Sequence, residues 1–491
     1  MAEKLILVLD EGTTSTRAML FARDGAMRGA AQEELTQHYP QDGWVEHDPG
    51  EIWQSTLACA TAMIEKAGGA AQIAAIGITN QRETVVAWDR ETGEPLCNAI
   101  VWQDRRTADI CAALKAQGHE DMVRAKTGLL LDPYFSASKM RWLLDHETSV
   151  AKAACDGRLA FGTIESWLVF KLTGGALHIT DPSNASRTLL LALDGEGWDD
   201  DLCHLFGVPK PALAQVVDNA GALGLSDPAL LGAAIPICGL AGDQQAATIG
   251  QACLTPGATK ATYGTGAFVL ASTGNALPKS ANRLLGTVLY QIDGQRCYAL
   301  EGAMFVAGSL IKYLRDTLGL IRTAAETADL ARLVPDNGGV VVIPALSGLG
   351  APHWRPDARG QITGLSFAAG KAHIARAALE AMAHQTSDLA GAFASDGAGW
   401  TGLRIDGGMA ANDWMAQDIA DLLDLPVTRP DLVETTALGA AMLAAVGCGW
   451  HPSLPDAADA MTGKTRQFEP SMEPATRAQR HRQWRSALEK V

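Results

Sequence analysis

The sequence predicts an α/β layer protein of two domains, and three observations carry that prediction. Short apolar runs without a helical period alternate with stretches of helical spacing, the pattern of strands covered by helices. A length of 491 residues exceeds what one core usually serves, so two domains of roughly 250 residues are expected. A strand, Gly/Thr turn, strand pattern opens the chain and returns after Gly257. The breaker-rich Leu254-Thr255-Pro256-Gly257 is the natural boundary, dividing residues 1–253 from 254–491.

The first run, Leu5 to Leu9, is continuously apolar, as in a central strand buried on both faces. It ends at Asp10, after which come Glu11, Gly12, the hydroxyl row Thr13 to Thr16, and Arg17. Ala18 to Phe21 follows as a second strand, closed by the turn signal Asp24-Gly25. Such a turn offers backbone N–H groups, hydroxyls and one cation to a phosphate. Asp10 at the strand end could hold magnesium, which takes one or two carboxylates together with phosphate oxygens. On these residues alone an ordinary hydroxyl-rich hairpin is the competing reading. Gly463-Lys464-Thr465 is a loop rather than a Walker A motif, because Ala458 stands where that motif needs glycine.

Asp48-Pro49-Gly50-Glu51 reads as a helix start, with Trp53, Leu57, Ala60 and Ile64 at helical spacing and Gly68-Gly69 as the stop. Ile73 to Thr79 and Val85 to Trp88 are strands around the polar turn Asn80 to Thr84, and Ala99 to Trp102 is a further apolar run. A helix through about Leu114 follows, then helical and loop material over 127–210. Ile235 to Ala241 is again a buried strand, ending in Gly242-Asp243 before a small-residue helix. Past the boundary, strands over 260–263 and 267–271 flank Gly264-Thr265-Gly266, and a helix is expected over 301–318. Then come a strand at 340–344, a long helix at 373–393, and a strand ending in Asp406-Gly407-Gly408. Helices over 412–423 and 434–446 follow, the second rich in Ala and Gly and suited to close packing. The basic character of the segment from Pro474 suggests a partner, but a solvated surface helix is the favoured reading.

Composition excludes several classes. A net charge of −15 argues against an electrostatic grip on nucleic acid or an anionic membrane. Nine cysteines without a C-x-x-C pair fit reduced thiols in the cytoplasm. The chain enters its first strand almost at once and has no apolar stretch of the ~20 residues that a membrane span needs.

Four strand ends terminate in short polar or glycine turns, and ligands in open α/β sheets sit beyond such ends. Two related hairpins suggest two domains clamping a nucleotide triphosphate in a cleft. Arg82-Glu83, in a turn between strands, is either a surface ion pair or a clamp that donates to and accepts from the hydroxyls of a polyol. Trp102 and Phe268 are candidate apolar walls or core aromatics.

Asp10 to Arg17, Asn80 to Thr84, Trp102 to Thr107, Asp243-Gln244 and Tyr263 to Phe268, in that order, resemble the FGGY carbohydrate kinases. The likeness runs nearly end to end, through 134–142 and 406–412. It implies two ribonuclease-H-like (actin-like ATPase) domains facing a central cleft. It also implies ATP-dependent phosphorylation with magnesium, and Asn80 to Thr84 with Trp102 to Arg106 favours glycerol over pentuloses as acceptor. By that resemblance Arg82, Glu83, Tyr134, Asp243 and Gln244 would bind the acceptor hydroxyls, with Asp243 as general base. Thr13, Thr14, Ser15 and Arg17 would meet the phosphates, with Thr265 opposite, and Gly308, Gly408 and Asn412 would line the nucleotide pocket. A cytoplasmic homo-oligomer, dimer or tetramer, is expected on the same ground.

Three positions depart from the family pattern. Glu11 replaces a common Gln and would add charge beside the phosphates, and Lys312 replaces a Gln that reaches toward the nucleotide. Gly232-Ala233-Ala234 lacks the arginine of relatives inhibited by a sugar bisphosphate, so that regulation is expected to be absent. The rival functions are a kinase for another small polyol or ketose, and an actin-like ATPase switch.

Overall fold

The computed structural model describes residues 4–491. Two sheets organise the chain. The first contains β1 (Leu5–Glu11), β2 (Ser15–Phe21), β3 (Met27–Glu34), β4 (Ile73–Asn80), β5 (Ala220–Leu225) and β6 (Pro236–Gly242) in the order β5-β6-β4-β1-β2-β3. The second contains β7 (Ala258–Tyr263), β8 (Ala267–Gly274), β9 (Leu285–Ile292), β10 (Gln295–Met304), β11 (Gly402–Asp406), β12 (Val427–Pro430) and β13 (Thr465–Phe468), ordered β9-β10-β8-β7-β11-β12-β13. In both, an antiparallel hairpin (β1-β2, β7-β8) lies beside a strand running parallel to its first arm (β4, β11). The repeated grammar of the sequence is thus a repeated topology.

The helices that matter are α1 (Pro49–Ala67), α2 (Ser136–His146), α3 (Ile164–Leu172), α4 (Asp243–Gly250), α5 (Gly308–Lys312), α6 (Lys371–Ser395), α7 (Asp413–Leu423), α8 (Thr435–Gly447) and α9 (Pro474–Leu488). Helix α1 starts as its sequence dictates: Asp48 accepts from Gly50 N, and Gly68 closes the helix in the left-handed region. Leu7 and Leu9 pack under α1 and α3, whereas Ile6 and Val8 pack under α8. Both faces of β1 are therefore covered, which is why its residues do not alternate.

Helix α8 comes late in the chain but seals the first sheet, crossing α4 at very short range. A Cβ on Gly439 would lie 1.8 Å from the Ala246 carbonyl oxygen, and one on Gly250 would lie 2.0 Å from that of Thr435. Only glycine permits that approach.

Three expectations change. Residues 301–318 are not one helix: β10 runs through Met304, then α5 and a π-type turn over Tyr313–Thr317. Pairing of β10 with β8 and β9 overrides the helical preference of its alanines. Val86–Asp89 and Ala99–Ile100 are strands, but they pair in small ladders outside the main sheets. Helix α9 is anchored rather than merely solvated, because Trp484 is buried and Arg480 grips Asp418 at 2.5 and 2.8 Å. All nine cysteines are free, and among the described residues no helix is long and apolar enough to cross a membrane.

Candidate active site

The β1-β2 hairpin forms one wall of the cleft between the sheets. Gly12 N donates to Ser15 O at 3.0 Å, closing the turn, and a Cβ at Gly12 would sit 3.1 Å from the same oxygen. Thr13 is fixed from two sides: its hydroxyl accepts from Trp102 Nε1 at 3.0 Å and its carbonyl from Gln37 Nε2 at 2.7 Å. Thr14 is exposed and Ser15 half-buried, so both stand at the open side of the turn.

Arg17 donates to Asp10 at 2.5 Å and to Glu434 at 2.6 Å, the second carboxylate coming from the segment that opens α8. Burial pushes the Asp10 carboxyl up to about 6 against the pull of Arg17, with Glu434 and Asp243 adding to the rise. Two carboxylates, Asp10 and Glu434, thus share the one guanidinium of Arg17. Glu11 adds no charge there. It is buried under the hairpin, accepts from Thr16 at 2.7 Å and Thr56 at 3.0 Å, and burial pushes it to about 8. The charge expected beside the phosphates is a neutral carboxyl turned inward.

Arg82 and Glu83 are not a surface pair, since each side chain is only 2% exposed. Arg82 donates to Glu301 at 2.7 Å, and its Nε lies 3.2 Å from Asp243. Glu83 takes a positive φ of 62° and accepts from Arg187 at 2.7 Å. Non-glycine residues rarely adopt that backbone region. The Tyr134 hydroxyl stands 3.4 Å from Arg82 Nη2, and its ring meets Trp102 edge-on at 5.5 Å. Burial raises the Tyr134 phenol, so it remains a donor. Behind it the buried Lys139 donates to the carbonyls of Pro133, Tyr134 and Phe135 and fixes the turn that carries the ring.

Asp243 is the first residue of α4, and its side chain is 35% exposed toward the cleft. Burial raises its carboxyl, opposed by Arg82 and Lys260. Gln244 accepts from Lys260 Nζ at 2.5 Å. Directly opposite residues of antiparallel strands share a sheet face. The pairs Lys260–Leu270, Thr262–Phe268, Phe268–Ala303 and Leu270–Glu301 therefore put Lys260, Phe268 and Glu301 on one face. That face meets Arg82 and Gln244, so Phe268 stands on the same side as those two residues.

A cavity of about 660 Å³ opens in the second domain and is lined by Thr265, Gly308, Lys312, Gly408 and Asn412, with Ile311, Leu379 and Met409 as apolar walls. Its floor is interlocked: Gly308 N donates to Gly264 O at 2.9 Å, and a Cβ on Gly308 would approach that oxygen to 2.6 Å. Asn412 caps α7 through Met415 N at 3.1 Å, so it shapes the rim as well as lining it.

Thr13, Arg82, Tyr134, Trp102 and Asp243 thus form one connected cluster, and Thr265, Gly308, Lys312, Gly408 and Asn412 line the cavity of the second domain. Sequence reasoning missed Arg187, Lys260, Glu301 and Glu434. Lys260, a cation inside an otherwise strand-like run, was the one local signal; the others become visible only when distant segments meet.

The model for the N-terminal domain of the FGGY family of carbohydrate kinases matches residues 5–250, and that for the C-terminal domain matches 259–448. The chain belongs to the FGGY family of carbohydrate kinases. Within the FGGY kinases it is similar to the glycerol kinase of Rhodospirillum centenum, 53% identical over 487 residues that cover 99% of this chain and 98% of that protein. Among solved structures it resembles Plasmodium falciparum glycerol kinase with ADP, at a TM-score of 0.95 and 34% identity over 99% of this chain and 98% of that one. The xylulose kinase of Lactobacillus acidophilus shares the fold, with a TM-score of 0.88 at 23% identity over 99% of this chain and 97% of that one. The FGGY architecture, two facing α/β domains of actin-like type, is the one predicted from the sequence.

Proposed function

We infer that this chain transfers the γ-phosphoryl group of ATP to a terminal hydroxyl of glycerol, giving sn-glycerol 3-phosphate and ADP. The observation that carries the acceptor is the meeting of Arg82, Glu83, Tyr134 and Asp243 in the cleft. Together they provide two donors and two acceptors within the space of a three-carbon polyol. Full-length similarity to glycerol kinases supports the same acceptor.

In this reading Arg82 and Tyr134 donate to glycerol hydroxyls and Glu83 accepts, while Trp102 and Phe268 flank the carbons and Gln244 completes the grip. Asp243, open to the cleft, takes the proton of the attacking hydroxyl as the new O–P bond forms and the bond to the β-phosphate breaks. Thr13, Thr14, Ser15 and Arg17 hold the phosphates from the first domain, and Thr265 holds them from the second. The base and ribose occupy the cavity of Gly308, Lys312, Gly408 and Asn412. Closure of the domains excludes water as a competing acceptor.

The donor set also fits magnesium at Asp10. Among the described residues no three His, Cys, Asp or Glu side chains are grouped to hold a metal by themselves. With Asp10 and Glu434 sharing one guanidinium, a carboxylate nevertheless remains to suit a cation completed by phosphate oxygens. Bound there, the ion would neutralise charge on the transferring phosphoryl group. Nine free cysteines fit a reducing, cytoplasmic compartment. Leu365 and Phe367, 60% and 114% exposed, fit a homo-oligomer, which light scattering would test.

The test is coupled ADP release with ATP and magnesium, with and without glycerol. Turnover should depend on glycerol and yield glycerol 3-phosphate. A higher kcat/KM on xylulose, ribulose or erythritol would reassign the acceptor, and ATP hydrolysis indifferent to every polyol would point to a nucleotide switch.

A further inference from the structure

Four buried side chains form a closed ionic circuit behind the acceptor residues. Glu301, on β10 of the second sheet, accepts from Arg82 at 2.7 Å with one oxygen and from Arg187 at 3.0 Å with the other. Arg187 then donates to Glu83 at 2.7 Å. Side-chain exposure is 2% for Arg82, 0% for Arg187, 2% for Glu83 and 1% for Glu301. Two cations and two carboxylates therefore balance out of water. Burial alone would raise the Glu301 carboxyl, but Arg187 and Arg82 pull it down to about 2, so it stays ionised.

The circuit crosses the cleft. Arg82 and Glu83 belong to the turn after β4, Arg187 follows the short helix Pro182–Ala185, and Glu301 comes from the opposite sheet. A guanidinium on a flexible stem needs both ends of its planar fork engaged to hold one orientation. Arg82 has Glu301 on Nη1 and Asp243 near Nε, so its remaining edge faces Tyr134 and the acceptor space.

We propose that Glu301 and Arg187 are positioning residues for the acceptor: they orient Arg82 and Glu83 from behind, and Glu301 makes the second domain part of the glycerol site. The inference rests on the reading that Arg82 and Glu83 grip glycerol. It predicts that acceptor affinity, and not only catalysis, depends on a residue of the sheet whose strand ends also supply Thr265, Gly308 and Gly408 to the cavity of the second domain.

The test compares Arg82→Gln, Glu301→Gln and the charge-balanced double variant Arg187→Gln/Glu301→Gln, with Glu301→Asp as the conservative rescue. Glu301→Gln leaves two buried guanidinium groups facing one carboxylate and can fail to fold. The double variant keeps the buried charge balanced and remains the decisive protein in that event. In it the glycerol KM should rise about 10- to 100-fold, the scale of a lost charge-assisted contact, while the ATP KM stays within about twofold. Glu301→Asp should recover part of that loss. A purely structural role would lower kcat through loss of active protein and leave both KM values in place. A folded double variant with an unchanged glycerol KM overturns the proposal. If Arg82→Gln itself leaves the glycerol KM unchanged, the acceptor reading fails instead, so the two failures are distinguishable.

Discussion

Replacing Asp243 with Asn removes one charge and almost no volume. The side chain accepts from Gln244 N at 2.6 Å and lies 3.2 Å from Arg82 Nε. An asparagine oxygen retains the first contact, and Arg82 keeps Glu301 at 2.7 Å. The folding cost should therefore stay near 1 kcal/mol, the scale of one partly exposed polar contact. The catalytic cost is larger, because an amide cannot take the hydroxyl proton. Loss of a general base typically lowers the rate by about 10²–10⁴, or roughly 3–5 kcal/mol of barrier. Measured by coupled ADP release, kcat should fall on that scale while the ATP KM holds. The pH profile gives an independent reading. Burial raises the Asp243 carboxyl, so wild-type kcat/KM should decline as pH falls through a value above the ordinary ~3.9 of aspartate. The residual rate of the variant should lose that limb. A folded Asp243→Asn enzyme with wild-type turnover would refute the assignment of the base.

Three other outcomes follow from the structure. Glu11 titrates near 8 in the folded chain against an ordinary 4.5, so its contribution to stability is complete below 4.5 and is lost as pH rises through 8. Glu11→Gln, which stays neutral, should leave the melting temperature unchanged at pH 4 and raise it at pH 9, with up to about 5 kcal/mol at stake. Gly439→Val would force a Cβ to within 1.8 Å of the Ala246 carbonyl oxygen; separating α8 from α4 should cost about 3 kcal/mol or more, read by denaturant unfolding. Finally, the Gly232-Ala233-Ala234 loop has no cationic side chain of its own, and Ala233 packs on the core of the first sheet. Millimolar fructose bisphosphate should leave turnover unchanged, and clear inhibition in the same assay would contradict this.

The local features were legible because each has a short-range cause. The continuous apolar run Leu5 to Leu9 requires two covered faces, and α1 and α8 supply them. Asp48 and Gly68 mark the ends of α1 by hydrogen bonding and by backbone freedom, which act within a few residues. The ordered motifs sufficed to identify the kinase family, and Asp10, the Thr13 to Ser15 turn and Asp243 each stand at a strand end, where the apolar run stops. Where the outcome depended on what lies opposite, the sequence was silent or misleading. Residues 301–304 are a strand because β8 and β9 supply partners, which outweighs the preference of the residues themselves. Arg82-Glu83 reads equally as a surface pair or a hydroxyl clamp, because neighbours in sequence can neutralise each other; burial and the partners Arg187 and Glu301 appear only when segments about a hundred and two hundred residues away arrive. Glu11 follows the same rule. Its charge is written in the sequence, but its protonation is decided by the water that folding removes.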